Sequence, residues 1–320
     1  MNRRDLFILI FKFFFLCMIV AGVIWEITPQ YDTSYNASLH DKIDRIESIE
    51  GPKIVLIGNS NVAFGFDSEM IETAFGMPVV NMGLHGGLGN SFHEEMAKLN
   101  VHEGDIYVVC HLSYWDEDSI EDGTLAWTAI EKDLSAYRLI RIKDIPDMVK
   151  GYPAYLRKCI DLWCSGDDSR EWDESAYARD AFNEYGDNAF PRLKCKDVNL
   201  LKKSGKELEE ESYLALSDTC VNRLNQLNSF MQKHGATLVV AGCPLPVDKE
   251  PSAEFAESLV GYRDGLASKL ECEVISDYRD YCYDVTCLYD GRYHLNTEGA
   301  KQRTAQLISD LKQYGLSSVD

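Results

Sequence analysis

The chain has 320 residues, of which 45% are hydrophobic and 26% are charged, and its formal net charge is −20 at pH 7. This composition is ordinary for a globular protein that can bury a full core, which argues against wholesale disorder. The acidic balance argues against nucleic-acid binding, because proteins that bind the phosphate backbone carry clustered positive charge.

The first predicted element is an apolar stretch at the N-terminus. Residues 6–25 are apolar except for Lys12, and they follow the basic pair Arg3-Arg4. Twenty helical residues span about 30 Å, enough to cross a bilayer core. We therefore predict a cytosolic tip and transmembrane anchor over residues 1–26, and the positive-inside rule leaves the rest of the chain extracytoplasmic. A cleaved signal peptide is the alternative, although the stretch is long for one and no clean cleavage site follows it.

The next segment, residues 27–50, is polar and charged. We predict that it forms a stalk with a short helix between the anchor and the folded domain. Asn36-Ala37-Ser38 within it matches a glycosylation sequon, which is a frequent chance match.

From residue 53 onward the chain alternates between short apolar strands and helices, which predicts an α/β domain over residues 51–320. Five strands alternating with helices are typical of a mostly parallel, doubly wound sheet, here of the flavodoxin-like kind. The strands are predicted at residues 53–57, 78–81, 105–110, 236–241 and 272–276, and the helices at residues 67–75, 91–99, 207–234, 252–270 and 297–314.

An insertion at about residues 116–206 interrupts this alternation after the third strand. It is rich in acidic and aromatic residues and carries no strong strand signal, so we predict helices and loops. The aromatic residues form the insertion's own core, which is the interpretation we favour, or line a groove for a sugar or acyl substrate. They include Trp127, Tyr137, Tyr152, Tyr155, Trp163, Trp172, Tyr177 and Tyr185.

The chain has ten cysteines, and an exported domain would permit disulfides. Cys110 and Cys243 end apolar strands and are predicted to be buried thiols. Two closely spaced pairs fall in predicted loops, and the sequence does not fix any pairing. These pairs are Cys159/Cys164 and Cys282/Cys287.

Three short segments carry the residue types of a nucleophilic site. Two follow predicted strands and the third precedes the last helix, so a serine, a glycine-rich loop and an Asp/His pair are expected to converge at one sheet edge. A serine hydroxyl needs a base, the base needs an orienting carboxylate, and glycine N–H groups can stabilise an oxyanion. The segments are residues 58–61 (Gly-Asn-Ser-Asn), 81–87 (Asn-Met-Gly-Leu-His-Gly-Gly) and 290–296 (Asp-Gly-Arg-Tyr-His-Leu-Asn).

The order G-N-S, N-x-G-x-x-G and D…H-L-N-x-x-G-A resembles the SGNH (GDSL-type) hydrolase superfamily. The resemblance covers about residues 52–115 and 236–315, and it is nearest to the membrane-anchored branch found with extracellular polysaccharide and teichoic-acid modification. No metal or organic cofactor is implied. A multi-spanning membrane acyltransferase is a partner that this branch often has.

The resemblance implies a role for each matching residue. Ser60 is the expected nucleophile and His294 the expected base, with Asp290 as the orienting carboxylate. The backbone N–H groups of Ser60 and Gly86 match the oxyanion hole, with Gly83 or Gly87 as substitutes if the loop register differs.

Two positions depart from the family pattern. The usual Asp lies three residues before the histidine, where this chain has Gly291, so Asp290 is one residue farther away. The family's third block supplies an oxyanion-hole Asn, whereas Leu112-Ser113-Tyr114-Trp115-Asp116 occupies that place here. The third donor is therefore missing or supplied by another group.

These observations predict acyl transfer at an ester of an extracytoplasmic glycan or cell envelope, by hydrolysis or O-acetyl transfer. The alternative is a non-catalytic glycan-binding or envelope-assembly protein of the same fold. The missing third-block Asn and the displaced Asp290 favour that alternative, and the presence of both Ser60 and His294 opposes it.

Overall fold

A computed structural model describes residues 2–28, 30–114, 119–131, 133–170, 175–209 and 214–317. Trp115, Asp116 and Trp172, which the sequence interpretation included, lie outside the described residues.

Helices and short strands alternate along most of the described chain. The helices are α1 (Arg3–Ile27), α2 (Ser38–Ser48), α3 (Ser60–Ala63), α4 (Ser68–Phe75), α5 (Asn90–Met96), α6 (Gly123–Ile130), α7 (Ile145–Ser165), α8 (Asp218–Lys233), α9 (Ala253–Lys269) and α10 (Thr297–Tyr314). The strands are β1 (Ile54–Ile57), β2 (Val79–Asn81), β3 (Ile106–Val109), β4 (Thr237–Val240), β5 (Leu245–Val247), β6 (Glu273–Val274) and β7 (Cys282–Asp284).

Five of these strands form one parallel sheet in the order β2-β1-β3-β4-β6. Ile54 of β1 lies opposite Val79 on one side and Ile106 on the other. Each strand falls inside its predicted range, so the predicted α/β fold with a five-stranded parallel sheet is confirmed.

Helices cover both faces of this sheet, which explains why β1 is apolar throughout. Val55 and Ile57 pack in a cluster with side chains of α2, α5, α8 and α9. Ile54 and Leu56 point the other way and pack with α4 and α10. Because both faces are buried, the strand has no solvent side on which polar residues could alternate.

The predicted stalk is wrong, because the segment belongs to the folded domain. Leu39, Ile43 and Ile46 of α2 are at most 1% exposed and join the core on one face of the sheet. Their i, i+4, i+7 spacing places them on one helical face, while the other positions are polar. The polar composition of residues 27–50 concealed this narrow apolar stripe.

A second sheet and a shorter helix also differ from the predictions. β5 and β7 pair in parallel outside the main sheet. These three-residue strands give no strong signal, and β5 contains Pro246, which speaks against a strand. The helix predicted from residue 207 begins at Asp218, because the side chain of Ser217 accepts from the N–H of Thr219 and caps it.

The insertion contains α6 and α7, which pack closely against each other. Trp127 stacks on Tyr155 at 6.0 Å between ring centroids and meets Tyr152 edge-on at 4.9 Å. These contacts confirm an aromatic core for this part of the insertion. Cys159 and Cys164 both lie in α7 rather than in a loop, and all ten cysteines of the chain are free thiols.

Helix α1 is long and apolar enough to cross a membrane. None of its 25 residues is buried against the rest of the protein.

Candidate active site

Ser60 lies at the carboxyl end of β1, at the first residue of the short helix α3. Asn59 caps this helix, since its Oδ1 accepts hydrogen bonds from the backbone N–H (3.0 Å) and the Nδ2 (2.8 Å) of Asn61. A side chain on Gly58 would come within 2.8 Å of the carbonyl oxygen of Cys110 at the end of β3. The glycine therefore lets the chain turn tightly against the neighbouring strand.

The structure brings together the three residues predicted for catalysis. The Oγ of Ser60 lies 2.8 Å from Nε2 of His294, and Nδ1 of His294 lies 2.7 Å from Oδ1 of Asp290. The four-residue spacing from Asp290 to His294 is therefore compatible with direct contact. With a proton on Nδ1 donated to Asp290, Nε2 is free to accept the proton of Ser60.

Tyr177, from the insertion, is a fourth member of this group. Its hydroxyl donates to Oδ2 of Asp290 at 2.5 Å and lies 3.2 Å from Nδ1 of His294. Each oxygen of the Asp290 carboxylate thus has a hydrogen-bond partner. The sequence shows Tyr177 only as one of many aromatic residues, and no local motif links it to a histidine 117 positions away.

The charge state of Asp290 follows from these contacts. Burial raises the pKa of this carboxyl, but the hydrogen bond and positive charge of His294, together with the Tyr177 hydroxyl, outweigh burial and hold the pKa below its ordinary value. Asp290 is therefore an anion at neutral pH, suited to orient an imidazole and to stabilise the imidazolium that forms when His294 takes up a proton.

Aromatic rings pack around the imidazole of His294. Phe64 stacks on the His294 ring at 4.4 Å between centroids and 11° between planes. Tyr35 lies 6.1 Å from Phe64 and 5.8 Å from Tyr177 between ring centroids. The segment predicted as a stalk therefore supports the wall of the candidate site.

Two backbone donors flank Ser60. Within the described part of the chain, the N–H groups of Ser60 and Gly86 have no hydrogen-bond acceptor. A Cβ on Gly86 would lie 3.7 Å from the Cβ and Nδ2 of Asn59, so Gly86 adjoins the residue before the serine. Both N–H groups are therefore available to the predicted oxyanion hole, whose assignment stays a prediction.

The prediction that Gly83 or Gly87 could replace Gly86 in the oxyanion hole is wrong, because both N–H groups are engaged. The N–H of Gly83 donates to Oδ1 of Asn81 at 2.8 Å, and Gly83 is buried with no room for a side chain beside Ala63. The N–H of Gly87 donates to Nδ1 of His85 at 3.0 Å. Both groups already have acceptors inside the protein, so neither can serve an oxyanion without breaking that bond.

The described part of the loop after β3 contains no Asn, and its histidine has a partner elsewhere. His111 is buried and lies 3.0 Å from Glu94, whose other oxygen accepts from Arg223 at 2.6 Å. His111 therefore belongs to a buried ion network. The Nδ2 of Asn59 lies 3.7 Å from the position that a Cβ on Gly86 would take.

His85, at the rim of the site, acts as an acceptor. Burial lowers the pKa of His85, and the nearby charge of His294 lowers it further. The neutral ring accepts the Gly87 N–H and fixes the turn that carries Gly86.

No group of three or more His, Cys, Asp and Glu side chains is placed to hold a metal ion in the described ranges.

Comparisons with protein-family models, with curated proteins and with solved structures found no match to this chain.

Proposed function

We propose that this protein is a serine-dependent acyl esterase or O-acyltransferase that acts on an ester of an extracytoplasmic glycan or the cell envelope. The observation that carries the proposal is the continuous hydrogen-bonded chain from Ser60 through His294 to Asp290. If Ser60 only formed a turn after a buried strand, it would not need a histidine within hydrogen-bond distance. That histidine would not need a carboxylate partner either.

The reaction begins when Nε2 of His294 takes the proton from Ser60. The Oγ attacks the carbonyl carbon of the ester, and the N–H groups of Ser60 and Gly86 stabilise the oxyanion that forms. The leaving alkoxide takes the proton from His294, which leaves an acyl group on Ser60. A water molecule or a sugar hydroxyl, deprotonated by His294, then attacks that acyl group. The Oγ of Ser60 leaves and takes that proton back from His294, which restores the starting state.

The proposed class is the SGNH hydrolase superfamily with a doubly wound, flavodoxin-like sheet. The strand order and the helices on both faces support that arrangement. The position of Ser60 after β1 and of His294 just before the last helix supports the class.

We further propose that α1 is an uncleaved anchor with the domain outside the cytosol. Arg3 and Arg4 at its first residues support this orientation. A multi-spanning membrane acyltransferase that delivers acyl groups is the proposed partner of a transferase.

A non-catalytic glycan-binding or envelope-assembly protein is the second candidate. The observation that favours it is that no third-block Asn appears among the described residues after β3. Such a protein would bind glycan without forming an acyl-serine.

Turnover of an acetyl ester separates the two candidates. The full chain in detergent is mixed with a chromogenic acetyl ester, with and without an oligosaccharide acceptor. It is compared with Ser60→Ala and with Ser268→Ala, a control at an exposed serine of α9. We expect turnover by the parent and by Ser268→Ala but not by Ser60→Ala, with transfer to the acceptor marking a transferase. Glycan binding by the parent without any turnover would favour the second candidate.

A further inference from the structure

A cavity of about 550 Å³ lies where helix α1 meets the insertion, and it shares no residue with the Ser60 site. Its wall combines the last turns of α1 with side chains of α6, α7 and the segment between them. The volume is in the range of small-molecule sites in proteins. The residues that line it are Ala21, Ile24, Trp25, Thr28, Trp127, Glu131, Tyr137, Val149, Tyr152, Pro153 and Tyr155.

Hydrogen bonds fix the position of this cavity relative to the end of α1. The hydroxyl of Tyr155 donates to the carbonyl oxygen of Thr28 at 2.5 Å. The carboxylate of Glu131 accepts from the N–H groups of Gln30 and Tyr31, each at 3.1 Å. These bonds join the insertion to the chain within one helical turn of the end of α1. The insertion and the end of α1 therefore lie side by side.

Helix α1 places this junction at the membrane surface. Its 25 residues extend about 37 Å, which exceeds the roughly 30 Å hydrocarbon core. When the N-terminal end with Arg3 and Arg4 lies at one interface, the turn that contains Trp25 lies at the other. Trp and Tyr are the residue types enriched at that level, and the cavity wall contains Trp25, Tyr137 and Tyr152.

Exposed aliphatic side chains occur in the same insertion. Four large ones are 49% to 88% exposed, and Val149 among them also lines the cavity, so contact with an apolar phase would remove their apolar surface from water. They are Leu134 (77% exposed), Ile142 (88%), Ile145 (49%) and Val149 (65%).

We propose that this cavity binds an acyl chain of a bilayer phospholipid, and that the exposed aliphatic side chains of the insertion rest in the membrane interface. Three of the eleven lining residues, Ala21, Ile24 and Trp25, belong to α1 itself, so a chain from the adjacent leaflet can enter sideways without crossing water. The inference goes beyond the proposed ester chemistry and depends only on α1 remaining attached in the membrane.

Photocrosslinking of the full chain tests the proposal. The protein is reconstituted into phosphatidylcholine vesicles that contain a diazirine at the end of one acyl chain, irradiated, digested and mapped by mass spectrometry. We expect adducts on peptides of α6 and α7 as well as of α1. Val149→Trp, which narrows the cavity, should reduce the α6 and α7 adducts severalfold relative to those on α1.

The matched control is Val198→Trp, because Val198 is 63% exposed and lies outside the cavity. This variant should leave all adducts unchanged. Ser60→Ala should label like the parent, so a failure of the esterase proposal would not alter this result. Adducts confined to α1, adducts insensitive to Val149→Trp, or a mature chain that lacks α1 would each overturn the proposal.

Discussion

At the scale of single residues, the candidate oxyanion hole depends on which backbone N–H groups already donate a hydrogen bond inside the protein. Gly83, Gly86 and Gly87 lie in one loop, but only Gly86 retains a backbone N–H without an acceptor among the described residues. The other two donate to Asn81 and His85. The hydrogen bonds of the folded loop, and not the glycine pattern, therefore select the oxyanion donor.

Gly86→Pro tests that donor directly. Proline removes the N–H, and its position suits proline because Gly86 is the first residue of a 3-10 turn and His85 before it is extended (φ −64°, ψ 134°). We expect kcat for an acetyl ester to fall on the order of 10²–10³-fold, as when an oxyanion-hole donor is removed elsewhere.

Gly86→Ala is the control for that change. A Cβ at this position meets nothing nearer than 3.7 Å, and alanine keeps the N–H. Its kcat and its thermal unfolding midpoint should stay close to those of the parent. If proline and alanine reduced kcat equally, the role assigned to the Gly86 N–H would be wrong.

Tyr177→Phe tests the positioning role of the tyrosine hydroxyl. The change removes the donor to Oδ2 of Asp290, which loosens the carboxylate and raises its pKa, although Asp290 stays ionised at neutral pH. We expect kcat to fall severalfold with KM unchanged, because the hydroxyl acts on Asp290 and not on substrate.

Asp290→Asn gives the upper limit for this effect. It removes the anion that orients His294, so kcat should fall much further than in Tyr177→Phe. In the double variant the tyrosine change should cost little more, because the two residues act through one hydrogen bond. Fully additive losses would mean that Tyr177 acts independently of Asp290.

At the scale of elements, the sequence predicts the main sheet well and the segments around it less well. β1 is apolar at every position because helices cover both faces, and such a run can be recognised from composition alone. Helix α2 buries only a narrow stripe with Leu39, Ile43 and Ile46, so its overall polarity suggested a stalk.

The site could be predicted only in part for a related physical reason. Ser60 and His294 lie in local motifs beside predictable elements, so their meeting follows from the order of the strands. Tyr177 reaches Asp290 through an irregular insertion whose path depends on packing rather than on a repeating pattern. Whether each backbone N–H in the glycine loop has an acceptor likewise depends on the conformation of the folded turn, which the sequence pattern does not specify.

The junction between α1 and α6 should respond to pH through Glu131. Burial raises the pKa of this carboxyl to about 7. Since the folded state then binds more protons than the unfolded state between pH 4.5 and about 7, stability is lost as pH rises through that window. Glutamine cannot ionise, so the thermal unfolding midpoint of Glu131→Gln relative to the parent should rise over the same range. A constant difference would contradict this account of the junction.

At the scale of the whole molecule, the proposed orientation puts the most exposed thiol of the folded domain outside the cell. Cys17 and Cys164 are the exposed cysteines, and only Cys164 lies outside α1. A membrane-impermeant maleimide, applied to intact cells after an impermeant reductant, should therefore label the parent. Cys164→Ser should lose most of that label. Labelling that appears only after the membrane is permeabilised would place the domain in the cytosol.

Helix α1, the insertion and the candidate site form one connected arrangement. Helix α1 is tied to the insertion through Tyr155 and Glu131, and the chain that follows contributes Tyr35 to the wall of the Ser60 site. The site is therefore held in a fixed relation to the end of α1, which suits an enzyme that works on substrates close to a membrane.

The central claim is that His294 activates Ser60 as a nucleophile, and labelling with a serine-directed fluorophosphonate measures this most directly. The full chain in detergent is labelled and the modified peptide is identified by mass spectrometry, alongside Ser60→Ala, His294→Gln and Ser268→Ala. We predict label on Ser60 in the parent and in Ser268→Ala, and none at that position in the other two. An unlabelled parent, or label that persists unchanged in Ser60→Ala, would contradict the account.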